Sequence, residues 1–457
     1  VSRTVAADYL VVGAGASGMA FTDALIDHAD VRVALVDRRH AAGGHWLDAY
    51  PFVRLHQASA FYGVASTLLG GGRLRQRGPE TGLQERATVS EICAYYDRIL
   101  ADRMLASGRV EFFPGCEYVG DRTFVSRLSG QAYDVPEGCR VVDARYLAPD
   151  IPLHTPAPFE VGDARVIPVN DLPRLTEAPS QYVVAGAGKT ATDACIWLLS
   201  LGVDPDAICW VRPRDPWMFN RAVVQPDAAA FLGMAADVMG SAADATDPDD
   251  FFLRLEEAGV MLRVDRSVLP TMAKAPTLAT WELDELRTIE NVVRMGHIRR
   301  ADRGRITLDD GTVEIADDAV VVHCAGSGLQ YPPLVPIWQP GTITLQPIRA
   351  GFPCFAAALT GYVEATRDDD AEKNRLCPPT PYANTLPDWA RMNLLGTRAT
   401  LSFGGEPDIK AWTDTIELSP GRVAAAPPSA ALDEVVARLT SNLAPGLVGL
   451  ARLAAAP

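Results

Sequence analysis

The chain has 457 residues, 48% hydrophobic and 22% charged; this is apolar material enough for two or three packed domains, and it argues against global disorder. Its 57 acidic against 42 basic side chains set a formal net charge of −15. Nucleic acid and anionic membrane both reward clustered Lys and Arg, so neither is expected as a partner.

The first apolar run, Tyr9 to Val12, meets glycine at once and does not read as a signal peptide. No stretch supplies the ~18 consecutive apolar residues of a spanning helix. Residues 8–25, DYLVVGAGASGMAFTDAL, read as strand, glycine turn and helix, and VRVALVD (31–37) reads as a second buried strand. Gly13, Gly15 and Gly18 then form Gly-x-Gly-x-x-Gly at a strand end: the first permits the turn, the second lets backbone approach a pyrophosphate, and the third lets helix and strand pack closely. The helix start, with Ser17, offers free N–H groups and a partial positive charge to phosphate. Asp37 ends the next strand, where a carboxylate accepts hydrogen bonds from ribose hydroxyls; Arg38 beside it joins the candidate set.

The same pattern returns 173 positions on, in QYVVAGAGKTATDACIWL (181–198), followed by the strand AICWVRP (207–213). That offset is too long for a solenoid repeat and suits two related βαβ domains. Here the motif is Gly186, Gly188 and Ala191. Lys189 and Thr190 open the helix, as phosphate contacts or, for Thr190, as a cap. The strand ends in Arg212 and Arg214 rather than an acid. Guanidinium pairs with a 2′-phosphate and a carboxylate repels it, so NADPH is favoured over NADH; the alternative is that both arginines are solvated surface charges. Residues 215–300 read as a mostly helical insertion, with helical spacing in FFLRLEEAGVMLRV (251–264) and ELDELRTIENVVRM (282–295). RITLDDGTVEI (305–315) reads as a hairpin turning at Asp310-Gly311. A buried strand follows in DDAVVVHCAGSG (317–328), and the Ala/Pro-rich tail 419–457 reads as a loosely attached helix or as partly disordered. None of the eight cysteines forms Cys-x-x-Cys, which argues against a zinc site and a dithiol redox pair. They read as small apolar residues of a reducing compartment, so a cytoplasmic location is expected.

Two dinucleotide sites in one chain have a chemical use: a nicotinamide delivers hydride to a flavin. The residues after Asp37 carry a resemblance that fits. Gly43-Gly44-His45-Trp46, Tyr50-Pro51, the polar stretch Arg54 to Gln57 and Phe61-Tyr62 resemble the class B flavoprotein monooxygenases, comprising flavin-containing monooxygenases, N-hydroxylases and Baeyer–Villiger enzymes. Arg212 with Trp217 matches that group's second motif, and Cys324-Ala325-Gly326-Ser327-Gly328 loosely matches its late Ala-Thr-Gly. The likeness covers about residues 8–330. It implies an α/β fold of two Rossmann-like dinucleotide-binding domains, for FAD and NADPH, the second carrying the insertion. The implied division is 1–160 and 305–418 for the FAD domain, 161–304 for the NADPH domain, and 419–457 for the tail. Gly44, His45, Trp46, Ala325 and Gly326 join the cofactor set. The Baeyer–Villiger signature Phe-x-Gly-x-x-x-His-x-x-x-Trp is absent from the linker 147–171, and His56 stands where those enzymes place an aspartate, so the chain resembles a divergent branch.

His56 and Gln57 lie in a polar island before Phe61 and are the candidate catalytic residues, hydrogen-bonding the flavin ring or its peroxide; for His56 a loop-capping role is an equal alternative. His323, in an apolar strand, reads first as a core residue. QPIRAGFPCF (346–355) lies near the flavin by analogy. Trp281, Glu282 and Arg287 read as packing residues or pocket lining, and the charge run 367–375 as a solvated face. The implied activity is an NADPH-consuming monooxygenase that transfers one oxygen atom from a flavin C4a-(hydro)peroxide to a small organic substrate, with O2 as the other partner and homodimerisation open. The alternatives are a flavoprotein reductase that never oxygenates and a non-catalytic nucleotide-binding redox sensor.

Overall fold

A computed structural model describes residues 2–324, 328–329, 331–349 and 351–456, with 328–329 described as backbone only. Two parallel sheets organise it. The first has six strands in the order Trp338–Gln339, Thr342–Thr344, Arg140–Asp143, Tyr9–Val12, Val33–Asp37 and Val110–Pro114. All neighbours pair in parallel except the first two. Both faces of its central strands are covered, which is why their sequences run apolar without alternation. Val11, Val33 and Leu35 face the helices Ala16–His28 and Pro353–Thr366. Leu10, Val12, Ala34 and Val36 face a small sheet that brings in Phe124 and Val135. The two helices meet backbone to backbone: a Cβ on Gly361 would lie 2.5 Å from the Phe21 carbonyl oxygen.

The second sheet is parallel throughout, in the order Arg165–Pro168, Val320–His323, Tyr182–Ala185, Ile208–Val211 and Val292–Val293. The helix Lys189–Ser200 covers one face, and a four-stranded sheet of Glu160–Val161, Ile298–Asp302, Arg305–Leu308 and Gly311–Glu314 covers the other. The fold is thus α/β with two Rossmann-like units. The expected return to the first unit at residue 305 is corrected: the hairpin and Val320–His323 belong to the second unit, because Val320–His323 pairs on both sides within the second sheet. The first sheet resumes with Trp338–Gln339. The hairpin turns one residue early, since Leu308 faces Gly311 and leaves Asp309-Asp310 as the loop.

The insertion is mixed rather than mostly helical. It holds the helices Ala228–Asp244, Pro248–Glu257 and Thr280–Leu286, and a three-stranded sheet of Met261–Arg263, Pro216–Asn220 and Met272–Leu278. Gly259, at φ +74°, follows the second helix and turns the chain into Met261–Arg263, so the helical reading of 251–264 fails after Glu257. The reading of 282–295 fails after Leu286, where β-branched Val292 and Val293 join the second sheet's edge. In the charge run, Lys373 is buried against Glu364 at 2.6 Å, so that segment is not simply a solvated face.

The tail also differs from expectation. Ser429 caps a 25-residue helix, Ala430–Ala454, which buries Leu432, Leu450 and Leu453. Its small residues admit the insertion helix Ala228–Asp244 at backbone contact: a Cβ on Gly449 would sit 1.9 Å from the Ala242 carbonyl oxygen. Among the described residues no helix is long and apolar enough to cross a membrane. Gly449→Ala is expected to destabilise the fold by about 1–3 kcal/mol through overpacking and to expose the tail to protease. A urea midpoint and a digestion rate both equal to wild type would contradict this docking.

Candidate functional site

Both glycine turns open on one cavity of about 720 Å³. On the first side, Gly13 adopts φ +112°, and a Cβ on Gly18 would stand 1.8 Å from the Gly13 carbonyl oxygen, so strand and helix leave no room for a side chain between them. Gly44 approaches so closely that its Cβ would meet Gly15 Cα at 2.8 Å. The helix begins at Gly15 without a side-chain cap, and Gly15, Ala16 and Ser17 line the cavity. Its first N–H groups are therefore uncapped at the cavity wall. Asp37 accepts the Ala14 N–H at 2.7 Å and the Arg39 N–H at 2.8 Å. It fixes the glycine turn while lining the cavity, and each carboxylate oxygen retains acceptor capacity for a hydroxyl. Arg38 lines the rim with its side chain exposed. Trp46 donates its indole N–H to the Tyr62 hydroxyl at 2.6 Å, and both rings face the cavity. Burial and Arg39 lower the pKa of His45 to about 4.

On the second side, Gly186 adopts φ +137°, and a Cβ on Gly188 would point into open space, the vacant position a pyrophosphate needs. Thr190 lines the cavity and makes no capping bond; Gly188 is the N-cap. Lys189 is not a free phosphate ligand. Its ammonium pairs with Asp193 and lies 4.0 Å from Glu282, while Asp193 accepts the Tyr50 hydroxyl at 2.7 Å. The two arginines diverge. Arg212 is 2% exposed, stacks 4.5 Å over Trp210 and pairs with Asp215 at 3.4 Å, away from the cavity wall. Arg214 lines the cavity and donates to the Thr271 carbonyl at 2.8 Å. Sequence reading missed Lys274, a half-buried ammonium on the same wall. It has no carboxylate partner among the described residues and lies 5.9 Å over the Tyr331 ring, and burial and Arg214 depress its pKa. Ala325 and Gly326 lie outside the described residues; Cys324, just before them, lines the cavity.

His56 and Gln57 reach the wall between the two sides. The Thr277 N–H donates to His56 Nδ1 at 3.3 Å. Burial, with Lys189, Arg221 and Arg86, lowers the His56 pKa to about 3. A neutral ring whose Nδ1 accepts must carry its proton on Nε2. Gln57 is 4% exposed, and its side-chain amide has no hydrogen-bond partner among the described residues. Behind them lies a cluster that local sequence gave no sign of. Arg221 pairs with Glu80 at 2.6 Å and Glu282 at 2.8 Å, and Arg86 pairs with Glu80 at 2.7 Å. Trp281 donates to Glu80 at 3.3 Å. Arg287 instead holds the Val264 carbonyl, a packing role. His323 is buried outside the cavity wall, with a pKa lowered by burial. Gly351 and Pro353 bring the start of the helix Pro353–Thr366 to the cavity.

A cavity shared by glycine turns from two parallel-sheet units defines a two-dinucleotide-binding fold. Residues 11–63 match the family model of the NAD(P)-binding Rossmann-like domain. Two solved structures share the fold: a polycyclic ketone monooxygenase of Thermothelomyces thermophila (12% identity, 97% of this chain and 89% of that one, TM-score 0.54) and an oxidized steroid monooxygenase bound to NADP (15% identity, 79% and 85%, TM-score 0.50). This is the fold that the resemblance implied. Uncharacterized protein Rv2000 of Mycobacterium tuberculosis and Mb2023 of Mycobacterium bovis are each 42% identical over 423 residues, covering 92% of this chain and 78% of theirs. The chain belongs to the family of these mycobacterial proteins.

The lowered pKa values of His45 and His56 at the cavity set a pH dependence. Unfolded histidine titrates near about 6.5, so below that the unfolded chain binds protons that the folded sites refuse, and stability rises with pH from about 4 to about 6.5. In flavin-free protein the urea midpoint is expected to fall as pH drops through that window, and His45→Gln to remove about one proton from the slope. Equal slopes in wild type, His45→Gln and His56→Gln would contradict neutral rings at both positions.

Proposed function

We propose that the protein is an FAD-dependent, NADPH-consuming monooxygenase that inserts one atom of O2 into a small organic substrate. The observation that carries this reading is the single cavity shared by the two glycine turns. Electron transfer between two dinucleotides requires such a common space.

The residues fit both cofactors. The Gly15–Gly44 contact and the uncapped start of the helix Ala16–His28 would hold the FAD pyrophosphate, with Asp37 on the ribose. Trp46, Tyr62 and the start of the helix Pro353–Thr366 would border the ring system. On the other side, Gly188 and the start of the helix Lys189–Ser200 would take the NADPH pyrophosphate. Arg214 and Lys274, two cations without carboxylate partners among the described residues, suit a 2′-phosphate; Arg212 stacks on Trp210 and pairs with Asp215 off the cavity wall. Bound flavin supplies hydride acceptance from the nicotinamide and electron delivery to O2. The chain's own contribution is orientation and exclusion of water. His56 holds a proton on Nε2, and Gln57 has an amide unpaired among the described residues; the two are neutral donors beside the space the cofactors share.

Purified protein is expected to carry FAD and to consume NADPH and O2 in equal amounts, with oxygenated product, in a screen of amines, sulfides, ketones and aromatic acids. NADPH oxidation that returns only H2O2 with every substrate would replace this reading with a reductase. Gly15→Val is expected to abolish flavin content, because its side chain would press on the Gly44 backbone that closes over the glycine turn; full retention would refute the site. Arg214→Ala with Lys274→Ala is expected to raise KM for NADPH by tenfold or more, about 1.4 kcal/mol, and to spare NADH. An equal loss for both coenzymes would remove these cations from phosphate recognition.

A further inference from the structure

We propose that Arg221 is the positioning residue for His56. It rests on the preceding reading for the use to which His56 is put, and on hydrogen bonds for how His56 is held. Arg221 is fully buried at the turn after Pro216–Asn220, far from His56 in sequence and on the insertion rather than the first unit. All three of its nitrogens are engaged. Nε donates to the His56 carbonyl at 2.8 Å and lies 3.3 Å from Thr277 Oγ1. Nη2 reaches the Thr277 carbonyl at 3.3 Å and Glu282 at 2.8 Å, and Nη1 reaches Glu80 at 2.6 Å.

Thr277 is the second half of the clamp. Its hydroxyl donates to the same His56 carbonyl, and its N–H donates to His56 Nδ1. One guanidinium thus fixes the backbone of both partners in the bond that sets the imidazole tautomer. The planar fork of arginine can grip two carbonyls and two carboxylates at once; a lysine ammonium cannot reproduce that geometry. The result is a His56 ring at the cavity wall whose Nε2–H has no hydrogen-bond partner among the described residues.

The charges around the ring come from four elements. Lys189 stands at the start of the second unit's helix with Asp193 beside it, Arg86 and Glu80 lie on the segment 70–87, Arg221 lies on the insertion, and Glu282 is on the helix Thr280–Leu286. Removing Arg221 leaves Glu80 and Glu282 facing the ring with one cation fewer, which favours the imidazolium.

Ring-nitrogen NMR on the protein as purified, with the His56 signals identified by their loss in His56→Asn, tests this without turnover. Wild-type His56 is expected to stay neutral, with Nδ1 accepting, through the ordinary histidine range near about 6.5. Arg221→Met is expected to raise its pKa by about 1–3 units and to weaken the Nδ1 acceptor signature. Arg221→Lys, which keeps the charge, is expected to hold the pKa low while weakening that signature. Unchanged Nδ1 signals in Arg221→Lys overturn the proposal, also where Arg221→Met does not fold; so does an unchanged pKa and tautomer in a folded Arg221→Met. Each result is obtained whether or not the protein oxygenates anything, so failure of the oxygenase reading is seen separately, in the product screen.

Discussion

Close backbone approach at the carboxyl ends of two parallel sheets is the constraint from which the cavity follows. A parallel strand buried on both faces satisfies its polar groups laterally, so free backbone donors gather where the strands end and the next helices begin. At both ends the chain turns through glycine, and at Gly18 even one added carbon would collide with the Gly13 carbonyl. The turns can therefore bring uncapped helix starts to the cavity only while those positions lack side chains. Gly44 extends the same logic to a third segment, pressing backbone against Gly15 from the far side.

Electrostatics then divides the cavity's surroundings into two regimes. Behind His56, three cations (Arg86, Lys189 and Arg221) face three carboxylates (Glu80, Asp193 and Glu282), mostly in direct contact. A balanced, desolvated cluster does not attract a diffusing anion, and it leaves no net negative charge to stabilise an imidazolium. Farther along the strand Met272–Leu278, burial and the neighbouring Arg214 depress the Lys274 pKa, and no carboxylate among the described residues pairs with either cation. In a chain of net charge −15, a carboxylate there would have been easy to supply. Cations left uncompensated at a cavity wall are groups that a bound anion would stabilise.

What could be read from sequence follows from how local each signal is. The glycine turns, their flanking strands and Asp37 declare themselves within about 30 residues, and the two units and their shared fold followed from them. Lys189 and Arg212 were named from the same motif, yet their partners, Glu282 and the Trp210–Asp215 pair, decide what they do. Glu80 sits in a Gly-Pro-rich turn and Arg221 in an apolar insertion, 141 positions apart; no periodicity reports an ion pair over that distance. Lys274 was hidden in the same way, because what marks it is the lack of a partner. The strand Val320–His323 went to the wrong unit because an apolar run specifies burial on both faces but not which sheet buries it.

The tail helix shows how far from the cavity its geometry is secured. Ala430–Ala454 packs on Ala228–Asp244 at Gly446 and Gly449, where backbones touch. It also contacts the helix Leu386–Gly404, which in turn packs on the strand Met272–Leu278. That strand carries Lys274 at one end of the cavity wall and Thr277 beside His56 at the other. A small-residue contact tolerates little sliding, since any shift drives Cα or carbonyl atoms together. The small residues of a tail that reads from sequence as loosely attached or partly disordered, Gly446 and Gly449 above all, are what let it brace the wall that holds the imidazole.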